Sequence, residues 1–364
     1  MLIPFDDYPV HQTALPLAHA GAGGADHYDR LWFNGFRDDL MFGVAFCHYP
    51  NRTLMDGAFS VLRAGRQTSL FVSGRANPNP VDTRMGPMRI EIVEPMRVNR
   101  VLVDDPEHGI SADLTYTATT PAFEEVRQNW RTGSRTTMDS TRATQWGQWT
   151  GTIDLDGETI DLGDDTFATK DRSWGQRTTP GNAVGAPLPP QPFLFLWSPI
   201  HFEDHCFHFL VFENPDGSQW AHDAVLVPKN DSSGAPAKLA RVEHDIQWTP
   251  GQRWSRSATL TAHLLDGGSE TLELRPLSRF QMKGLGYAHP RWGHGRWHDE
   301  LAVGVERIDT DALEPLAPEN LHVQQLVRAT WRGQTGLGVL EQIILGPHER
   351  YGFREFLDGA GAAR

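Results

Sequence analysis

The sequence predicts a mostly β protein made of two similar antiparallel barrel-like units. Three observations predict it: short runs that alternate apolar and polar residues, a scarcity of helical spacing, and a weak internal repeat. The alternating runs, in chain order, are "RIEIVEPMRV" (89–98), "ISADLTYTAT" (110–119), "WTGTIDLDGETIDL" (149–162), "FHFLVFE" (207–213), "ATLTAHLL" (258–265), "ELAVGVERI" (300–308) and "GVLEQIIL" (338–345). A period of two places alternate side chains on opposite faces, as a half-buried strand requires. "DLDGET" (154–159) reads as a hairpin, because Asp-Gly readily takes the positive φ of a tight two-residue turn. Helical spacing occurs in "PAFEEVRQNW" (121–130) and in "APENLHVQQLVRATW" (317–331), the second fitting a turn and a strand equally well.

The repeat joins residues 31–65 to residues 195–230. Each stretch has an aromatic start, an acidic turn, an aromatic strand, an Asn-containing turn and an apolar strand. Each is followed by further strands leading to a Trp/Gly-rich segment, "TQWGQWTG" (144–151) in one and "HPRWGHGRWHDE" (289–300) in the other. Duplication of one all-β unit explains this. "TTPGNAVGAPLPPQP" (178–192), rich in Pro, Gly and Ala and without charge, reads as the connection. Two domains, 1–182 and 183–364, are therefore expected.

Composition narrows the function. With 33 Lys and Arg against 46 Asp and Glu, the net charge of −13 repels phosphate backbones, so nucleic acid is excluded as a partner and anionic membranes are disfavoured. The start, "MLIPFDDYPVHQTALPLAHAG", has no apolar run long enough for a signal or a membrane span. Cys47 and Cys206 stand far apart, which fits a reducing cytoplasm and no disulfide framework. No GxSxG elbow, phosphate-binding loop or dinucleotide fingerprint occurs. No cofactor is expected, and nothing in the sequence bears on oligomeric state.

Three constellations carry candidate chemistry. In "FATKDRSWGQR" (167–177), Asp171 sits among Lys170, Arg172, Arg177 and Trp174. A buried carboxylic acid holds its proton more tightly and could protonate an alkene, with Trp174, Trp149 and Trp146 stabilising positive charge. Equally, Asp171 could be an ion-pair partner of Arg172 or Arg177. In "HFEDHCFHF" (201–209), one strand would put His201, Glu203 and His205 on one face, as metal ligands, as acid and base groups in a cavity, or as packing between the halves. No second ligand cluster completes a metal site, so none is expected. "GYAHPRWGHGRWHDE" (286–300) crowds Tyr287, Trp292 and His294 among glycines, as the wall of an aromatic pocket or as an aromatic corner. Glu341 and Gln342 interrupt an apolar strand, so alternation points one of them inward; Gln145, beside Trp146, raises the same question.

"QWGQWTGTIDLDGETIDL" running into "KDRSWGQR" resembles the lipocalin-like tandem-barrel superfamily that contains carotenoid 1,2-hydratase, AttH-like proteins, kievitone hydratase and Diels–Alderase-type pericyclases. The match covers roughly residues 143 to 177, and Thr169 and "RATQW" stand where the hydratases carry a Tyr and a His. The resemblance implies two calycin-type barrels in tandem and carries the hydratases' proton donor onto Asp171. The expected function is a cofactor-independent enzyme, a hydratase or an isomerase/cyclase, acting on an apolar unsaturated terpenoid or polyketide in a pocket where the two barrels meet. His205 and Glu203 are the further catalytic candidates, and Gln145, Trp149, Trp174, His201, Tyr287, Trp292, His294 and Glu341 the substrate-binding ones. The alternative is a carrier of such a molecule that performs no chemistry.

Overall fold

The computed structural model describes residues 24–77, 79, 81–178, 186, 188–230 and 235–361. The N-terminal stretch read for a leader and most of the 178–192 connection lie outside the described residues. The chain forms two antiparallel sheets. The first contains β1 (His27–Arg37), β2 (Leu40–Tyr49), β3 (Leu54–Arg63), β4 (Arg66–Arg75), β5 (Met88–Glu94), β6 (Val98–Asp105), β7 (Ile110–Ala118), β8 (Phe123–Glu124), β9 (Gln128–Thr132), β10 (Arg135–Leu155), β11 (Glu158–Asp161) and β12 (Phe167–Arg177). The second contains β13 (Phe193–His201), β14 (His205–Glu213), β15 (Gln219–Pro228), β16 (Ala237–Lys238), β17 (Arg241–Trp248), β18 (Ser255–His263) and β19 (Ser269–Gln281). Then β20 (Leu301–Asp309) joins the first sheet beside β4, and β21 (Val323–Trp331) and β22 (Gln334–Leu345) complete the second.

The duplication appears as topology. The first sheet runs β5-β6-β7-β10-β12-β1-β2-β3-β4-β20 and the second β17-β18-β19-β21-β22-β13-β14-β15-β16. β12 returns to pair with β1 and β22 with β13, and a meander extends on either side of each pair. Each sheet curls around its own core. Ile90 and Val101 on one flank of the first share a single apolar cluster with Leu70 and Val72 on the other. Val242 and Ile246 likewise join Ala224 in the second. Each large apolar side chain so enclosed contributes about 1.5–3 kcal/mol. The Asp156-Gly157 hairpin forms as expected, both residues at positive φ, 51° and 87°, between β10 and β11.

Several local expectations change. Residues 121–130 are not helical: β8 and β9 both pair along β10, and among the described residues there is no α-helix and no helix long and apolar enough to cross a membrane. Residues 317–331 take the turn-and-strand alternative, a 3-10 turn at Pro318–Asn320 followed by β21. "HFEDHCFHF" is not one strand, because β13 ends at His201 and β14 begins at His205, leaving 202–204 as the turn. The two compact units are the described residues of Met1–Arg63, Thr68–Leu188 and Gly284–Arg307, and those of Ala64–Gln67, Pro189–Lys283 and Ile308–Arg364. Residues 284–307, read in the sequence as part of the second half, thus pack with the first unit, and the segment 289–300 is no structural counterpart of 144–151, which lies in β10.

Candidate active site

The register of five strands in the first unit builds the site. Across β10, β12, β1, β2 and β3, Arg142, Ser173, Arg30, Cys47 and Asp56 stand directly opposite one another in one row. Thr144, Asp171, Trp32, Ala45 and Ala58 form the next row. Directly opposed residues share a face and residues two apart on a strand do too, so both rows project from the same side of the sheet. The other side, with Leu31, Phe33, Phe46 and Ala168, is the apolar core.

Residues 284–298 cover that polar face. Arg30 reaches them with Nη2 donating to the Leu285 carbonyl at 2.7 Å and Nη1 to Gly286 at 3.4 Å, its guanidinium 4.8 Å from the Tyr287 ring centroid. Gly286 is needed here: its φ is +85°, and a Cβ would lie 2.6 Å from the Arg30 guanidinium. Farther along, the Gly295 N–H donates to Asp56 Oδ2 at 2.6 Å, and Arg52 Nη1 donates to the Gly295 carbonyl at 3.1 Å. The Tyr49 hydroxyl donates to the same Asp56 oxygen at 2.9 Å and lies 2.6 Å from His294 Nδ1. With Nδ1–H of His294 donating to the phenol oxygen, His294, Tyr49 and Asp56 form one continuous line for a proton.

The electrostatics single out Asp56. Burial pushes its carboxyl up to about 6, against the lowering effects of the Gly295 N–H and the Tyr49 hydroxyl. Burial also raises the Cys47 thiol and the Tyr49 phenol. His294 is held well below the usual imidazole value by burial and by the cations Arg177, Arg30 and Arg52. At neutral pH the thiol, phenol and imidazole are therefore all neutral, and Asp56 is the group of the four poised to exchange a proton. Beside it is a cavity of about 10 Å³, the room one water needs, lined among others by Asp56, Phe71, Trp292, Arg296 and His298. Phe71 and Trp292 stack with centroids 5.8 Å apart, and His298 packs on Trp292 at 4.7 Å.

A metal could be held by one group here. Ligand atoms of Cys47, Asp56 and His294 lie within 4.8 Å of one another. The protonated thiol and the flanking arginines Arg30 and Arg52 oppose a divalent cation at this position.

The sequence candidates divide between the units. Tyr287, Trp292 and His294 belong to the cover just described. Asp171 lies on the same face as Asp56; Arg142 Nη1 is 3.5 Å from its Oδ2, while Arg142 Nε lies 3.1 Å from Glu125 Oε2. Trp149 and Trp174 are on the opposite side from Asp171. Trp149 is fully buried in the core, donating Nε1–H to the Asn34 carbonyl at 2.9 Å, and Trp174 lies 5.7 Å from the Arg172 guanidinium. Gln145 fastens two loops, its amide donating to the Met96 and Thr120 carbonyls at 2.8 and 3.0 Å. In the second unit, Glu203 is exposed at the β13–β14 turn. His205 stacks on Phe202 and pairs with Asp204 at 2.6 Å, and His201 Nδ1 is 3.9 Å from the Cys206 sulfur. Glu341 has its partners: His322 Nε2 at 2.6 Å and the Gln324 amide at 2.7 Å. Glu341 and Gln342 are both buried, on opposite faces of β22, and Gln342 is the one that alternation turns into the core.

Sequence reasoning missed Arg30, Cys47, Tyr49 and Asp56. Asp56 did carry a signal, an acid inside the apolar strand "LMDGAFSV". It also missed a buried relay in the second unit: the Tyr351 hydroxyl 2.6 Å from His244 Nδ1, then His244 Nε2 2.9 Å and His348 Nε2 3.2 Å from the two oxygens of Glu213. Burial of Glu213 is overcome there by the hydrogen bonds from His244 and His348, which hold it well below the usual carboxylate range.

Comparison with known proteins agrees with the fold. A family model described as a family of unknown function (DUF8625) matches residues 2–354. None of the curated proteins matches the chain. Among solved structures, a candidate AttH from Nitrosomonas europaea is similar at TM-score 0.56 and 15% identity, over 87% of this chain and 92% of that one. Two crystal structures of CghA, one with Sch210972, give a TM-score of 0.48 at 9% and 10% identity, over 88% of this chain and 89% of theirs. At 15% identity, the likeness to the AttH structure is one of fold.

Proposed function

The chain belongs to DUF8625, a family of unknown function, and from that premise we propose that it is a cofactor-independent enzyme that moves a proton on an apolar, unsaturated small molecule, with Asp56 as the acid. The observation that carries this is the Asp56 carboxyl, raised to about 6 and joined through Tyr49 to His294; the cavity beside it, walled by Phe71 and Trp292, has room for one water, so a substrate reaches Asp56 only as the cover of residues 284–298 moves aside. A carboxyl at 6 is protonated in roughly one molecule in ten at pH 7, and its acidity is matched to donating near neutrality. After donation, Asp56 recovers its proton along the Tyr49 and His294 line: the Tyr49 hydroxyl proton passes to Asp56, the His294 Nδ1 proton passes to Tyr49, and Nε2 takes up one proton from water, which leaves the imidazole neutral.

Arg296 at the same cavity bears on the reaction. A fixed cation disfavours a carbocation and favours an oxyanion. The site therefore suits isomerisation or cyclisation of an unsaturated carbonyl compound of polyketide type better than hydration of an unactivated alkene. Asp171, held by Arg142 and close enough to Arg30 to favour its charge, is assigned to keeping those two guanidinium groups in place. His205 and Glu203 take no part in this reading.

The test is proton transfer itself. A panel of α,β-unsaturated ketones and esters is incubated with the protein in D₂O and followed by mass spectrometry. Deuterium should enter the α or γ carbon with wild type, about 100-fold more slowly with Asp56→Asn. Equal incorporation by the two proteins sinks the assignment. A carrier would bind such compounds and incorporate none.

A further inference from the structure

Inside the second unit, register brings two glutamines into an apolar interior. Leu196, Gln342, Val323 and Gln281 stand directly opposite one another on β13, β22, β21 and β19. Opposed residues share a face, and Leu196 belongs to the apolar cluster that this sheet wraps, as do Leu340 and Ile344, two residues to either side of Gln342. Both glutamines therefore point into that core. Each is fully buried, and in each the carbonyl oxygen and the amide nitrogen lack a hydrogen-bond partner. Their neighbours show the contrast. Gln324 donates to Glu341 at 2.7 Å, and Gln325 to the Ser255 carbonyl at 2.6 Å. Two residues before Gln281 on the same face, Arg279 lies with its guanidinium 3.9 Å from the Trp254 ring centroid, and its buried Nε is also without a partner.

Buried polar atoms are nearly always bonded, and five that are not, gathered on one face, mark a place built to bond something else. Three are N–H donors and two are carbonyl acceptors, so the complement must both accept and donate. The Cα atoms of Gln281 and Gln342 are two strand spacings apart, about 10 Å. Side chains of that length converge on a group of a few atoms between them.

We propose that the interior of the second barrel binds an apolar small molecule through one carboxamide or carboxylic acid group, gripped between Gln281 and Gln342. The group's carbonyl accepts from the two amide nitrogens, and its N–H or O–H donates to a glutamine carbonyl. Phosphate or sulfate would meet the donors and leave the two carbonyls unserved. The site is separate from Asp56 and stands whether or not the proton-transfer reading holds.

The test uses hexanamide as probe, with calorimetric binding and thermal unfolding of the full chain. Wild type should bind it saturably and melt at a higher temperature with it. Gln342→Leu and Gln281→Leu each replace an unsatisfied amide by an apolar group of similar size, so the unliganded variants should melt no lower than wild type while binding hexanamide at least tenfold more weakly. 2-Heptanone, which accepts but cannot donate, should bind wild type at least tenfold more weakly than hexanamide. No saturable heat with wild type overturns the proposal, as does equal binding by the leucine variants. A lowered melting temperature in those variants without hexanamide binding to wild type also overturns it, since that is the pattern of amides satisfied by trapped water.

Discussion

Replacing Asp56 by Asn should change how stability depends on pH, in a direction fixed by the raised carboxyl. In the fold the group titrates at about 6, and unfolded at its ordinary value near 3.8. Between those values the folded protein holds a proton that the unfolded chain has lost, so stability from this group is fully present below pH 4 and is lost as pH rises through 6. A shift of about 2 units corresponds to about 3 kcal/mol, reduced to about 2 because Asp56 is only partly buried. Asparagine does not titrate, and its carbonyl can still accept from Gly295 and Tyr49. Relative to wild type, Asp56→Asn should therefore gain about 2 kcal/mol between pH 4.5 and pH 8, or roughly 4–8 °C in the transition of the first unit. Scanning calorimetry at several pH values measures it. Parallel pH profiles for the two proteins would refute the raised carboxyl, and a variant that loses ground at high pH would reverse the sign of the argument.

Two further outcomes follow from the same face of the sheet. Asp171→Asn removes one partner of the buried Arg142 and should lower the melting temperature by several degrees, about 1–3 kcal/mol, with deuterium incorporation per folded molecule unchanged; a selective loss of incorporation would instead make Asp171 the acid. Gly286→Ala puts a Cβ against the Arg30 guanidinium at positive φ and should destabilise by about 1–3 kcal/mol while loosening residues 284–298, read as faster amide hydrogen exchange at Gly295; unchanged exchange there would deny that the cover depends on this close approach.

What could be read from the sequence was whatever depends on neighbours in the chain. Alternation located the strands, Asp156-Gly157 announced its hairpin, and the likeness of 31–65 to 195–230 surfaced as two sheets with the same winding. Local pattern misled where partners far along the chain decide. Phe123, Val126 and Trp130 are spaced as on a helix, yet the segment is held flat by pairing along β10. The alternation in "HFEDHCFHF" continues through a turn that breaks the strand, so His201 pairs across to Cys206 while Glu203 sits at the tip. The site depends most of all on register, which no short stretch displays. Nothing near Asp56 announces Cys47 as its opposite or Gly295 as its donor, and Arg30 meets Gly286 across 256 residues of chain. Tyr287, Trp292 and His294 stood out by composition, but their place over β1–β3 could be seen only in the fold.

That Asp56 keeps a proton close to neutral pH is the centre of this account, and infrared difference spectroscopy of wild type against Asp56→Asn reads it directly. The protonated-carboxyl carbonyl band assigned to Asp56 should be present at pH 5, absent at pH 8 and missing from the variant, with a midpoint near pH 6. A midpoint near pH 4, at the value of an ordinary exposed aspartate, would contradict it.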